Sequence, residues 1–509
     1  MSDRKLAFYD FSGGINTNST KVILGNNSSK LCWDESFNVE LYKNHGVHRM
    51  QGNKTFLQIE ENSGIISMCE YPKSTQGFIF AQSDGKIKHY DNITKQIILV
   101  KDYGENIKRV IFIPYLDGIA IICDKFESFY YNVNLSENLQ PLNAKTQSGE
   151  ELYPQCGCIF AGRLWLSNNS TVYFSALGRF NDWESENDAG YIANFHSSTT
   201  NITAMQPYNG ALAIYKTDGV YLLNGNSPSD FSIIKFADKG TQSANGVCTC
   251  NNKQYFFNAD GLFSLSQVGE LSQIMMSGDI ANNIKQEFKD CDRTRIDKAF
   301  CVPYEKNNQI WFYIPKNGNE FFNNILIYDF LNKCWTKRVQ PQEILCATNV
   351  NGEILSGCNN GKILLENTDS TFDGQKIDFK FSTPFLHLGK PSEKKIVENF
   401  SLLIEDNGEN RFKFSTTKDF IKEKVNNIEY INVAQDGTLI WAKEEEITTD
   451  ENCWNCEECN TAWTKIFECP IDIQIFDSNI SLAIHIESEF EGDDFKLVGI
   501  EFKELLDDE

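Results

Sequence analysis

Ala161-Gly162-Arg163-Leu164-Trp165-Leu166-Ser167, then a polar Asn/Ser break, then Thr171-Val172-Tyr173-Phe174-Ser175-Ala176-Leu177-Gly178 running on to Asp182-Trp183, is the stretch that decides the fold. A turn ending in Gly162 leads into an alternating strand, and a second alternating strand stops at Gly178. Successive side chains of a strand point to opposite faces, so two period-2 runs joined by a short polar loop read as a β-hairpin.

The same unit recurs from about residue 56 to 370. Phe78-Ile79-Phe80-Ala81-Gln82-Ser83-Asp84-Gly85-Lys86-Ile87-Lys88-His89-Tyr90 is one copy. Ala211 to Leu222 turns at Asp218-Gly219, and Tyr255 to Leu265 turns at Asp260-Gly261. Later copies turn at Asn351-Gly352 and Asn360-Gly361. Such dipeptides supply the two positive φ angles of a type I′ turn, which predicts them at hairpin tips. Hairpins fall roughly 35 to 55 residues apart, the length of a four-stranded propeller blade, and the stretch holds about six or seven. Ile325 to Trp335 fits an outer blade strand, with Tyr328 and Trp335 flanking a polar turn. The aromatic side chains are expected to fill the wedges between blades. The fold class is therefore all-β: a β-propeller over 56–370.

The flanks read differently. Residues 1–55 form an extended arm: Phe11-Ser12-Gly13-Gly14-Ile15-Asn16-Thr17-Asn18 is rich in Gly and Asn, and Trp33 to Leu41 is an extended run. With little to pack against in a closed propeller, that arm is expected to complete a sheet in a neighbouring domain or subunit. After about residue 370 the hairpin period ends. Asp378–Leu386, Phe400–Glu405, Arg411–Ser415, Ser481–Glu487 and Lys496–Phe502 alternate with one apolar face, predicting an antiparallel β-sandwich over 371–509 with a cysteine-rich insertion at 453–469.

The wording of these segments resembles a known family. "GRLWLS…TVYFSALG…DW" resembles the signature hairpin of the β-propeller in bacteriophage tail-nozzle and tail-hub proteins, the packaged-DNA stabilisation family of short-tailed phages. "FSGGINT…NVEL" resembles that family's N-terminal arm, although Arg49-Met50-Gln51-Gly52 carries one residue more than its R-x-G pattern. "DFKFSTPFLHLGKPSEKK" resembles its crossover from propeller to sandwich. The resemblance implies a structural virion protein of the tail or neck, made in the host cytoplasm. It would assemble as a ring, by the family's habit a hexamer, with other tail or neck proteins. There it would retain packaged DNA and form part of the ejection channel, the DNA passing without specific binding. A propeller acting alone on a carbohydrate or peptide receptor is the alternative.

Composition agrees with a folded, strand-rich chain: 509 residues, 41% hydrophobic, with Phe 37 and Tyr 19 against Met 6. The balance of 47 basic against 70 acidic residues gives −23, which disfavours tight nucleic-acid binding. No run of Lys and Arg reverses this locally, since Arg4-Lys5 and Lys394-Lys395 are pairs. An acidic channel lining would repel phosphate and let DNA slide. No signal peptide is expected from the Met1-Ser2-Asp3-Arg4-Lys5 start, and no apolar run suggests a membrane-spanning segment.

No enzyme motif is found: no nucleophile elbow, P-loop, dinucleotide fingerprint or kinase set, and no repeated sialidase box. The reading is a protein without catalytic or cofactor-binding residues. Cys453, Cys456, Cys459 and Cys469 are the one cluster with ligand spacing. C-x2-C thiolates suit a structural Zn²⁺; a loop of free thiols and a disulfide are the other readings. Cys156-Gly157-Cys158 and Cys248-Thr249-Cys250 read as core thiols, His45 and His48 as surface or interface residues, and Asp290 to Arg295 as an ion-paired turn.

Overall fold

The hairpin around Trp165 forms as its alternation predicts. Arg163–Asn168 pairs antiparallel with Gly157–Phe160 on one side and Thr171–Phe174 on the other, and Gly190–Ile192 adds the fourth strand. Trp165 is fully buried; its indole N–H donates to the Phe160 carbonyl at 2.9 Å. Its ring lies 4.9 Å from Phe174 and 5.3 Å from Phe231, which leads into the outer strand of the next sheet. One side chain thus closes the wedge between two blades, the role expected of the aromatics.

The computed structural model describes residues 6–20, 30–43, 45–59, 63–73, 76–146, 148–193, 195, 198–268, 273–389, 393–405, 411–421, 425–432, 454–456, 461–463 and 468–507, with backbone alone for 185, 268, 273, 398, 425–432, 454–456, 461–463, 468–472, 474–479 and 503–507. The chain divides into two compact units: 1–51 with 329–339 and 374–509, and 52–328 with 340–373.

The second unit carries most of the propeller. Four-stranded antiparallel sheets follow one another along the chain at 65–102, 110–141, 157–192, 202–237, 247–276 and 300–339. The seventh takes Ile344–Val350, Glu353–Cys358 and Lys362–Glu366, and completes itself with Asn53–Gln58 from the far end of the unit. The first strands of the seven sheets neighbour one another in a closed ring, Ile344–Val350 returning to Ile65–Glu70. This is a seven-bladed propeller closed by pairing its first strand with its last. Asp373 fastens the closure, accepting from the Thr55 N–H (2.9 Å), the Thr55 hydroxyl (2.8 Å) and Lys362 Nζ (2.6 Å).

Turn chemistry departs from expectation. Asp84-Gly85, Asp218-Gly219 and Asp260-Gly261 do sit between paired strands, yet none of the three aspartates has a positive φ. Their turns are held by side chains instead. Asp84 accepts from the Lys86 N–H at 3.3 Å, and Asp218 accepts the Ser198 and Thr200 hydroxyls at 2.8 and 2.7 Å. Within the blades, pairs with two positive φ angles lie between first and second strands: Ala161-Gly162, Asn209-Gly210, Asn251-Asn252 and Asn351-Gly352. Asn and Gly tolerate this region, whereas Ala161 at φ 47° bears a steric penalty on the order of 1 kcal/mol.

The N-terminal segment is not a separate arm of 1–55. Residues 1–51 are woven into the same unit as 374–509, and 53–58 belong to the propeller. Gly14–Ile15 lies parallel to Cys32–Phe37, which pairs with Lys380–Ser382 in a six-stranded sheet completed by Leu482–Glu487, Arg411–Lys418 and Val425–Asn432. A second six-stranded sheet joins Val39–Tyr42, Gly46–Arg49, Lys496–Asp507, Lys395–Glu405 and Glu468–Asn479, with Leu6–Phe8 also on Lys496–Asp507. The reason is burial. Trp33 is wholly inside, its ring edge-on to Phe381 at 5.7 Å and its indole N–H donating to the Phe11 carbonyl at 2.8 Å. Asn38 breaks the long run at φ 56°. Its buried amide donates to the Val339 and Asp378 carbonyls at 2.7 and 2.6 Å and accepts from the Val339 N–H at 2.7 Å.

Candidate functional site: thiols, inner wall and a basic pocket

Most of the described thiols are buried. Burial pushes Cys69, Cys156 and Cys358 up to about 12 and Cys291 to about 11. The Cys301 thiol beside it, and then burial, raise Cys248 well above the ordinary thiol range. Thiols so held are protonated at neutral pH and are poor nucleophiles. The C-x-C pairs therefore sit where they were read, with Cys156, Cys158, Cys248 and Cys250 in blade cores. Cys453 and Cys459, and the side chains of Cys456 and Cys469, lie outside the described residues. Among the described residues no group of His, Cys, Asp and Glu is arranged to hold a metal.

His45 and His48 each have a local carboxylate: His45 stands 3.6 Å from Asp10, and His48 3.6 Å from Glu40. The turn at 290–295 is not ion-paired at Arg293. Asp292 accepts from the Thr294 N–H (3.0 Å) and hydroxyl (2.7 Å), and Arg295 donates to the Asn319 carbonyl (2.7 Å) and to that of Glu320. A short Asx turn satisfies the carboxylate locally, which frees Arg293 to face outward.

The seven first strands form the inner wall of the propeller. Glu70 is the one charged residue on them, and its carboxylate is engaged by the Asn351 N–H at 2.9 Å. The other half-exposed positions are neutral: Ser67, Ile111, Ile159, Thr203, Val247 and Leu345 are examples. The acidity of the chain does not line the propeller's own axis.

Charge does converge elsewhere. Lys239, Ala259, Asp260, Asp279, Lys285, Phe288, Lys289 and Arg293 line a pocket of about 290 Å³ within the propeller. Three loops build it: the connection after Ser232–Ala237, the turn before Gly261–Val268, and the link from Asp279 into the short helix Lys285–Lys289. Phe288 anchors that helix by burial, and Lys285 and Lys289 beside it are exposed. Asp279 accepts the Leu262 and Ala281 N–H groups at 3.2 and 2.9 Å. A Cβ on Gly261 would collide with that carboxylate, so the glycine is required there. Lys239 Nζ stands 4.8 Å over the Phe263 ring. Among the described residues none of the four cations forms an ion pair with a carboxylate. The sequence gives no hint of this cluster, because its members are scattered over 239–293 and no two cations are adjacent.

No family model matches the chain, and no curated protein matches it. Among solved structures it is similar to the β-propeller domain of Cps50 (Swd1) from Myceliophteria thermophila, at 8% identity and TM-score 0.43 over 62% of this chain and 99% of that one. It is similar also to the WD40 β-propeller domain of Doa1, at 8% identity and TM-score 0.41 over 62% and 96%. The computationally designed Ika8 protein is a third, at 12% identity and TM-score 0.38 over 62% and 100%. Among the described residues no helix is long and apolar enough to cross a membrane.

Proposed function

We propose that this chain is a structural component of a phage tail or neck, a nozzle or hub protein that assembles as a ring and forms part of the DNA ejection channel. One observation supports the reading above the others. The two segments whose wording resembles that family outside the propeller, the N-terminal arm and the crossover after residue 375, pair in one sheet: Asp34 opposite Ser382 and Phe37 opposite Lys380. Sequence likeness at two distant places therefore has a single structural meaning, a sandwich whose strands come from both ends of the chain.

A non-catalytic role fits the same chain. The thiols of Cys69, Cys156, Cys248, Cys291 and Cys358 are held protonated, and the largest buried aromatics are occupied in packing. Like charge across a chain of −23 opposes self-association in dilute solution. Assembly then depends on a platform that raises local concentration. Light scattering should find a monomer alone and a ring once the neighbouring tail or neck proteins are added. A chain that stays monomeric with those proteins, and instead binds a glycan or peptide saturably, would replace this reading with that of a receptor-binding propeller.

A further inference from the structure

The pocket lined by Lys239, Lys285, Lys289 and Arg293 calls for a ligand. Four cations from two segments, Lys239 from one and Lys285, Lys289 and Arg293 from the other, face one concavity, against two carboxylates. Asp279 is already engaged by two backbone N–H groups, which draws off part of its negative field. Asp260 is exposed at the turn and is the less screened by protein. Bringing like charges together without counter-ions is unfavourable, the more so in a concavity with a low-dielectric wall, and a bound anion offsets that repulsion. Solubility gives no reason for the arrangement, because the chain already carries −23 and scattered lysines would serve as well.

The number and directions of the donors select the anion. A carboxylate offers two oxygens in one plane. A phosphate group offers three or four, spread tetrahedrally, and suits donors arriving from separate loops. Arg293 supplies a planar fork for two of those oxygens, and the lysines act as mobile point charges. We propose that this pocket binds a phosphate group, carried either by a nucleic-acid backbone or by a free phosphate compound. The inference stands on the pocket and does not depend on the virion reading.

The test is calorimetric titration of the full chain with inorganic pyrophosphate at low salt, with acetate as the planar control. Pyrophosphate should saturate one site and acetate should not. Lys285→Gln, Lys289→Gln and Arg293→Gln should each weaken binding about tenfold, the scale of one charge-assisted contact. Arg293→Lys should retain only part of the affinity, since it keeps the charge and loses the fork. A Lys108→Gln/Lys125→Gln chain, altered at exposed lysines outside the pocket, should bind as the parent does. A short DNA duplex then assigns the source. Competition with pyrophosphate that is lost in the same variants points to a nucleic-acid backbone, and absence of competition points to a free phosphate compound. Failure of pyrophosphate to saturate, equal binding of acetate, or an equal loss in the Lys108/Lys125 control would overturn the proposal.

Discussion

His89 shows how one buried side chain sets a pH limit. Its ring stacks on Tyr71 at 5.1 Å, with Nδ1 3.1 Å from the Tyr131 hydroxyl and Nε2 2.6 Å from the Gln76 carbonyl. Burial holds the imidazole below its ordinary 6.5, outweighing the Gln76 carbonyl and the Asp91 charge, which act the other way. The unfolded chain therefore takes up the proton first. The stability tied to neutral His89 is complete above pH 6.5 and is lost as pH falls from there through the folded-state value. Urea midpoints measured across that window should fall, and His89→Gln should flatten the fall while lowering the midpoint at neutral pH. A parent midpoint constant across the window would refute this. Trp33 makes a different residue-scale case. Trp33→Ala removes a wholly buried indole and its bond to the Phe11 carbonyl, and should destabilise the sandwich unit by about 3–5 kcal/mol, read as a lower denaturant midpoint for that unit alone.

At the scale of strands, what was legible in the sequence was what local order encodes. Period-2 alternation placed the blade hairpins, because each pairs with its immediate neighbour. The strand Asn53–Gln58 was not legible as a blade strand: its partner, Lys362–Glu366, lies at the other end of the propeller and leaves no local mark. Which strands the arm joins was not legible for the same reason, since its distant partners come after residue 374. The Asp-Gly turns show a subtler limit. Composition located them but not their geometry, because an aspartate that hydrogen-bonds nearby groups has no need of a positive φ. The basic pocket was invisible because folding, not spacing, assembles it. A chain beginning at residue 52 retains the closing strand and should unfold its propeller cooperatively. One beginning at residue 60 loses it and leaves an open edge on the seventh blade, and should be digested there first in limited proteolysis. Equal protease resistance of the two chains would show that the closure is dispensable.

The whole molecule is a propeller spliced into the sequence of a sandwich. Besides their local pairings, its strands Leu6–Phe8, Cys32–Phe37 and Gly46–Arg49 take partners at 380–382 and 496–507. Translation turns that connectivity into a waiting time. At about 5–20 residues per second, the first strands emerge roughly half a minute to a minute and a half before the last of their partners exist. The propeller is finished in the interval, since its own last-synthesised strand, Lys362–Glu366, precedes the sandwich's C-terminal strands. Through that period Trp33, Phe11 and the apolar faces of the early strands have no second layer, and they are natural clients for a holding chaperone. Synthesis order thus favours blades that close first, with the arrival of the strands after residue 380 as the event that lets the sandwich form.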